Sequence, residues 1–528
     1  MPELPSLPSA VKSTGGPVDS YDEIPYDSSP VTETDPDRLA VIGRLFGLEA
    51  ADPRDCSVLE LGCASGGNLI PLAWRYPRSR FVGVELSARQ ASDGRRMIER
   101  LGLTNIEIRQ ADILALGEDI GEFDYILCHG VYSWVPEAVR ERILDLIAGQ
   151  LTGRGIAYIS YNTLPGWRMR GMLRDMLLYH TRGSSLPGER LDLARGFLDL
   201  FEHATIGLDA LHVKQIKQQI ARIREAPPSY LYHEYLEALN EPCLFSDFAT
   251  RFETRGLGYL GDAELHTMFP STLGDAVDEA VDGIDDAIEQ EQYLDFVRNR
   301  GFRQTLLCRA DALPDRVVDF ELFERLAFFA DLIPPKKVDL RRPKSQPFRR
   351  PGGEEPLNIE HPLTKAAVIE LARRYPDAVA FGDLVRMAGT AVAETGGRQH
   401  ADALDHLFGE FFSLYLHQGV GASIRAGAFP RAGTRPRTTD LTRLQVAEGL
   451  GHVATARHTQ LDLDPLAERL LMLLDGSRTV EEIVEDLAIE ADRQDGSLSG
   501  AAGLSGNPEK RRAQIRTNCE RLVSLFAR

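Results

Sequence analysis

The first chemistry in this sequence lies where an apolar run meets a cluster of glycines. Val58-Leu59-Glu60-Leu61 leads into Gly62, Cys63, Ala64, Ser65, Gly66, Gly67 and Asn68. Glycine admits φ > 0 and lets a ligand approach bare backbone. A helix beginning there offers unpaired N–H groups and a partial positive charge, which suit a phosphate or an amino-acid carboxylate. Two acids follow. Glu85 ends the apolar RFVGVE about twenty residues on, where a carboxylate can take both hydroxyls of a ribose; it also reads as a plain acid at a strand end. Asp112, in Ala111-Asp112-Ile113, can accept the amino group of an adenine with Ile113 and Leu86 against the ring faces, or simply cap a helix. The spacing Gly62, Ala64, Gly66, Gly67 has no glycine at the second position of a G-x-G-x-x-G fingerprint, which turns the reading away from dinucleotides.

Residues at the ends of two later apolar runs border the same place: His129, Gly130, Tyr132, Ser133 and Trp134, then Tyr161, Asn162, Pro165 and Trp167. Aromatic faces hold cationic or methylated amines, so Tyr26, Tyr132, Tyr161 and Asn162 are the candidate substrate-positioning residues. Trp134 and Trp167 read equally as core. His129 reads first as a cofactor contact and second as a base. The segment Tyr21-Asp22-Glu23-Ile24-Pro25-Tyr26, aromatic and stiffened by proline, is placed to act as a lid or a packed arm. The candidate cofactor contacts are thus Tyr21, Glu60, Gly62, Cys63, Ala64, Gly67, Asn68, Glu85, Leu86, Asp112, Ile113 and His129. His233 and Glu234 are adjacent, lie on different helix faces and lack metal-ligand spacing, so no metal site is expected.

The elements that must hold these residues alternate regularly. Pro36–Gly47 has helical spacing. Strands are expected at 57–61, 80–85, 106–109, 123–129 and 155–161, with helices at 68–76, 88–101 and 136–151. That rhythm predicts a parallel sheet with helices on both faces. From Gly166 to about Arg224 the pattern is helical, and strands resume at 257–260 and 302–308, so the helical block is an insertion over the ligand-binding edge. Residues 334–356, rich in proline and basic side chains, read as a linker, and two small mainly helical domains follow.

With 528 residues, two to four domains are expected. The net charge of −19 disfavours the phosphate backbone of nucleic acids as a partner and suits a cationic one, such as a Lys-rich protein. Six scattered cysteines without CxxC pairs fit a reducing compartment. Neither a secretion signal nor a membrane-spanning run is evident, so no membrane partner and a cytoplasmic location are expected.

The acid before the first glycine, the E-x-G-x-A-x-G turn, Glu85, Asp112 and the FDYILCHG strand resemble class I S-adenosylmethionine-dependent methyltransferases. The longer strings at 20–26, 59–73, 121–136, 158–180 and 229–248 resemble bacterial members that carry a methyltransferase regulatory domain, a family that includes rickettsial enzymes methylating lysines of outer-membrane proteins. The resemblance covers roughly residues 20–310; Ala64 departs from the commoner glycine. It implies an α/β fold with a Rossmann-like, doubly wound seven-stranded sheet and S-adenosyl-L-methionine as cofactor. The implied division is a disordered 1–19, a methyltransferase domain at 20–165 and 245–312, and a dimerisation or regulatory insertion at 166–244, with a homodimer expected through it. A middle domain at 313–430 and a winged-helix-like domain at 431–528, disordered over 490–509, complete it. The expected activity is methylation of lysine side chains of a protein. The alternatives are a small-metabolite or natural-product-peptide methyltransferase and, in another class, a cofactor-binding protein without turnover.

Overall fold

The computed structural model describes residues 22–25, 28–318, 320–353, 355–397, 403–430, 432–492, 504–505 and 507–526. Seven strands form the central sheet: β1 (Ser57–Leu61), β2 (Arg80–Glu85), β3 (Ile106–Gln110), β4 (Phe123–Cys128), β5 (Leu151–Asn162), β6 (Leu257–Asp262) and β7 (Phe302–Arg309). Their order is β3-β2-β1-β4-β5-β7-β6. The central strands are almost continuously apolar because helices cover both of their faces. One layer contains α1 (Pro36–Leu45), α2 (Leu69–Arg75) and α3 (Ala88–Leu101). The other contains α4 (Glu137–Gln150) and the aromatic face of a later helix, with Phe245, Phe248 and Phe252 buried on the sheet. The expected parallel sheet departs at β7, which runs antiparallel to both β5 and β6. The connection from 263 to 301 stays at the end of the sheet where β6 finishes and makes no crossover, so β7 has to run back beside β6.

Between β5 and β6 lie α5 (Trp167–Thr181), α6 (Pro187–Ala204), α7 (Leu211–Glu225), α8 (Pro228–Tyr235) and α9 (Phe245–Glu253). The first four close a core of their own around Leu177, Leu198, Ile220 and Tyr232. Helix α10 (Ala287–Arg298) then brings Glu291 and Asp295 beneath β7. Arg303 Nε lies 2.7 Å from Asp295 Oδ2 and its Nη2 lies 2.8 Å from Glu291 Oε2, with no exposure of the guanidinium. Arg300 reaches Asp262 Oδ2 at 2.8 Å. Charges this deep persist only when paired, and this cluster locks the β6–β7 edge.

In the middle unit, β8 (Ala327–Phe329) gathers the later strands β11 (Val379–Ala380) and β12 (Gly421–Ser423) around buried Phe323, Phe328 and Phe411. The basic segment expected as a tether is tied in instead. Strand β9 (Gln346–Phe348) pairs antiparallel with β10 (Leu357–Ile359), and Phe348 is fully buried. One inward aromatic is enough to anchor a proline-rich segment. Helices α11 (Pro362–Arg374), α12 (Phe381–Glu394) and α13 (Ala403–Leu416) complete the unit. The last unit holds α14 (Asp440–Ala447), the hairpin β13 (His452–Ala454) and β14 (Gln460–Asp462), and helices α15 (Pro465–Leu473), α16 (Val480–Asp492) and α17 (Pro508–Phe526). Residues 1–19 and most of 490–509, both expected to be disordered, lie outside the described residues, although 490–492 end α16 and 508–509 begin α17. Among the described residues no helix is long and apolar enough to cross a membrane.

Candidate active site

The glycine turn joins β1 to α2. Gly62 and Gly66 have φ of +74° and +78°, and Ala64 takes φ +49° without the freedom of glycine. The amides of Gly62 and Cys63 both donate to Val84 O, which clamps the turn to β2. Cys63 is buried, and a side chain at Gly83 would meet its sulfur at 2.5 Å. Glu85 follows on β2: its Oε2 accepts from Ala64 N at 2.9 Å and its Oε1 from Ser87 N at 2.8 Å. A carboxylate has about four acceptor positions, and the amides of Ala64, Ser87 and Leu86 engage this one, so Glu85 keeps some acceptor capacity while fixing the turn. Burial raises its pKa.

Glu60 lies under the turn. Its Oε1 accepts from Asn68 Nδ2 at 2.8 Å, and its Oε2 is buried with no partner among the described residues. Burial pushes its carboxyl up to about 7, with the charge of Glu85 adding to the rise. An orphaned carboxylate oxygen beside a glycine turn fits the ammonium of an amino-acid end, which would restore its missing hydrogen bond. On the far side Asp112 is exposed and its Oδ1 accepts from Leu114 N at 2.9 Å, so it does cap a short helix. Its other oxygen keeps its acceptor capacity; half-buried Ile113 follows it in sequence, and exposed Leu86 follows Glu85, whose carbonyl accepts from Ala111 N at 3.0 Å. The constellation fits the adenosine and methionine ends of the expected cofactor.

The N-terminal segment is drawn to this turn. Ser28 Oγ accepts from Gly67 N at 2.7 Å, and a Cβ at Gly67 would fall 2.1 Å from Ser28 O. Gly67 is thus glycine to admit the arm, and its amide serves Ser28, not the free anion site expected of it. Ser87 Oγ donates to Asp22 Oδ1, Arg89 Nη1 donates to Asp22 O at 2.6 Å, and His233 Nε2 meets Ile24 O at 2.7 Å. His233 therefore fastens the arm to α8. No group of His, Cys, Asp and Glu among the described residues could hold a metal. Tyr21 and Tyr26 lie outside the described residues.

His129, at the end of β4, has Nδ1 2.8 Å from Tyr158 Oη, and that hydroxyl donates to Gln304 Oε1 at 3.0 Å. The Tyr158 proton being committed, Nδ1 carries the imidazole proton and Nε2 is left with a bare lone pair. Burial lowers the His129 pKa to about 4, so the ring is neutral at ordinary pH. Two acids that sequence reasoning missed, Glu33 and Glu264, act electrostatically on Tyr158 together with Asp262. Burial raises Glu264 further. Nothing in the spacing of residues 33 and 264 announces that they share one edge.

Two of the expected substrate-positioning residues are buried in the core cluster of this face, the Tyr132 hydroxyl without a partner among the described residues. Tyr161 is 1% exposed, packs at a tilt on Phe248 with ring centroids 4.4 Å apart and spends its hydroxyl on Thr305 Oγ1 at 2.9 Å. Tyr132 is 2% exposed and packs edge-on against the same Phe248. The insertion's α9 covers both rings, and a strand-end tyrosine reads alike in a core and in a cleft. Asn162 remains at the edge, its Nδ2 buried without a partner among the described residues. The Trp167 face is taken by Arg170, 5.3 Å above its ring.

Comparison with known proteins agrees with this arrangement. Residues 58–155 match the model of a methyltransferase domain, 227–309 that of a predicted methyltransferase regulatory domain, and 434–528 that of a PKMT C-terminal winged helix domain. Protein RP789 of Rickettsia prowazekii (strain Madrid E) is 30% identical over 529 residues, covering 99% of this chain and 95% of the relative. PKMT2 from Rickettsia typhi superposes with a TM-score of 0.84 at 27% identity over 95% of this chain and 100% of that one, and it has also been solved in complex with AdoHcy. The seven-stranded order, the insertion and the extra C-terminal unit are thus shared along nearly the whole length, and the chain belongs to this family of class I S-adenosylmethionine-dependent methyltransferases with a methyltransferase regulatory domain.

Proposed function

We propose that the protein methylates lysine side chains of a protein substrate. The observation that carries this reading is the likeness to PKMT2, which runs through the winged-helix unit and so extends beyond the methyltransferase fold common to many substrates. The half-buried carboxylates Glu33 and Glu264, both close enough to act electrostatically on Tyr158 beside His129, support it, since acidic groups attract an ammonium. S-adenosylmethionine supplies an electrophilic methyl on a sulfonium. Glu85 takes the ribose hydroxyls with its remaining acceptor capacity, Asp112 the adenine amino group and Glu60 the methionine ammonium. His129 Nε2 and Asn162 face the amine as hydrogen-bond acceptor and amide. The amine must arrive neutral; a His129 held near 4 is too weak a base to strip an ammonium, so the proton leaves to solvent before closure. Alignment and exclusion of water then do the remaining work.

The test is transfer of a radiolabelled methyl group to proteins of a cell extract, followed by mass mapping of the labelled residues. Label on lysine side chains is expected; label confined to small molecules would overturn the reading.

Placing the cofactor's ammonium against Glu60 has a consequence for pH. Below about 7 the carboxyl is protonated and cannot counter a cation; above it the charge is present. Affinity for S-adenosylmethionine should therefore rise roughly fivefold from pH 6 to pH 7, the lower half of one ionisation near 7, and level off above it as the ligand's own α-ammonium begins to lose its proton at about 8. Calorimetry across this range should show the rise in the natural protein and a flat profile in Glu60→Gln.

The insertion supports a second copy of the chain as a partner. Leu200, Ile206, Leu208 and Leu211 are all more than half exposed around the turn between α6 and α7. Contiguous apolar surface of this kind marks interfaces. Sedimentation velocity should find a dimer that Leu208→Asp with Leu211→Asp converts to monomer.

A further inference from the structure

The hairpin β13–β14 of the last unit reaches the cofactor turn from behind. At its tip Arg457 donates to Pro376 O at 2.8 Å and lies 3.7 Å over the Phe329 ring, which seats the hairpin on the middle unit. The next residue, His458, is 2% exposed and has φ +54°. Its Nε2 lies 2.8 Å from Asn68 Oδ1, and its carbonyl accepts from Thr32 Oγ1 at 3.2 Å. Asn68 Oδ1 also accepts from Val31 N at 2.9 Å, which fixes the orientation of the amide and makes His458 the donor. The other end of that amide, Nδ2, donates to Glu60 Oε1 at 2.8 Å and to Thr34 Oγ1 at 2.9 Å. An unbroken chain of buried hydrogen bonds thus joins residue 458 to the carboxylate whose second oxygen is orphaned.

An imidazole buried in left-handed backbone is a costly way to glue two units together, since both the desolvation and the conformation oppose it. An apolar side chain would do as well for adhesion alone. What the imidazole adds is a directed donor that holds one rotamer of Asn68, and Asn68 in turn holds one rotamer of Glu60. We propose that the C-terminal unit is a structural part of the cofactor site, with His458 as a positioning residue that acts through Asn68 to present Glu60 to the cofactor's amino-acid end. The proposal rests on the placement of Glu60 given above. It predicts coupling between seating of the hairpin and the amino-acid end of the ligand, with the adenosine end insensitive.

S-adenosylhomocysteine and 5′-methylthioadenosine separate the two ends, because both are neutral thioethers and only the first carries the ammonium and carboxylate. Calorimetry on the full chain should show that His458→Leu weakens S-adenosylhomocysteine by roughly five- to tenfold, the scale of one lost hydrogen bond, and leaves 5′-methylthioadenosine unchanged. His458→Gln, which keeps an N–H near the Nε2 position, should bind both like the natural protein. Equal weakening of both ligands, no weakening of either, or failure of the glutamine variant to rescue would overturn the relay. Glu60→Gln is the control on the underlying placement. If it too spares S-adenosylhomocysteine, the placement of Glu60 falls and the relay with it; if Glu60→Gln discriminates and His458→Leu does not, the relay alone falls. Should the leucine variant not fold, hydrogen exchange on the natural protein decides the matter, because coupling is reciprocal. S-adenosylhomocysteine should slow exchange in residues 452–462 more than 5′-methylthioadenosine does, and equal protection by the two would overturn the proposal.

Discussion

Glu85→Ala should weaken S-adenosylmethionine binding by about 3 kcal/mol, roughly 100-fold, read as the dissociation constant by calorimetry. Two contributions point the same way. The ribose loses two hydrogen bonds to a charged acceptor. Ala64 N and Ser87 N lose theirs as well, so the turn and the start of α3 loosen before any ligand arrives. Glu85→Gln separates these effects, because an amide keeps an acceptor for only one of the two backbone donors; it should recover part of the affinity. Affinity unchanged in the alanine variant would refute the placement of the ribose.

Arg303→Met should destabilise the fold by about 3–5 kcal/mol, the cost of leaving partners of a buried ion cluster without their countercharge. Glu291 would lose its ion pair and Asp295 would keep only the longer one to Arg300 at 3.9 Å, and the Arg303 contact with the Phe245 ring at 3.9 Å would go too. Denaturant titration followed by circular dichroism should show the loss in the transition that reports the sheet. Adding Glu291→Gln and Asp295→Asn to Arg303→Met should return a large part of it, because the cost lies in the unpaired charges. A single variant as stable as the natural protein would show that the cluster is dispensable.

The sequence was most legible where local pattern and local chemistry coincide. Strands β1, β2 and β4 are short apolar runs between turn residues, and the glycines at 62 and 66 mark backbone that does take positive φ. Legibility failed where distant segments meet. Ser28 on Gly67 and His458 behind Asn68 are contacts between residues tens to hundreds of positions apart, and no periodicity encodes them. The direction of β7 is likewise set by where its connection runs, which strand composition does not record. Tyr132 and Tyr161 are buried under α9, and an aromatic residue after an apolar run looks the same in sequence whether a helix covers it or leaves it open.

The interruption of the sheet has a cost during synthesis. Strand β5 ends at Asn162, and β7, its neighbour, begins only at Phe302. At roughly 5–20 residues per second on the ribosome, the apolar edge of β5 waits on the order of ten to thirty seconds for its partner. An open edge of this composition is a template for pairing with another chain. Crowded polysomes at high expression should therefore yield aggregates seeded by residues 155–162, and slower initiation or a lower growth temperature should favour soluble protein.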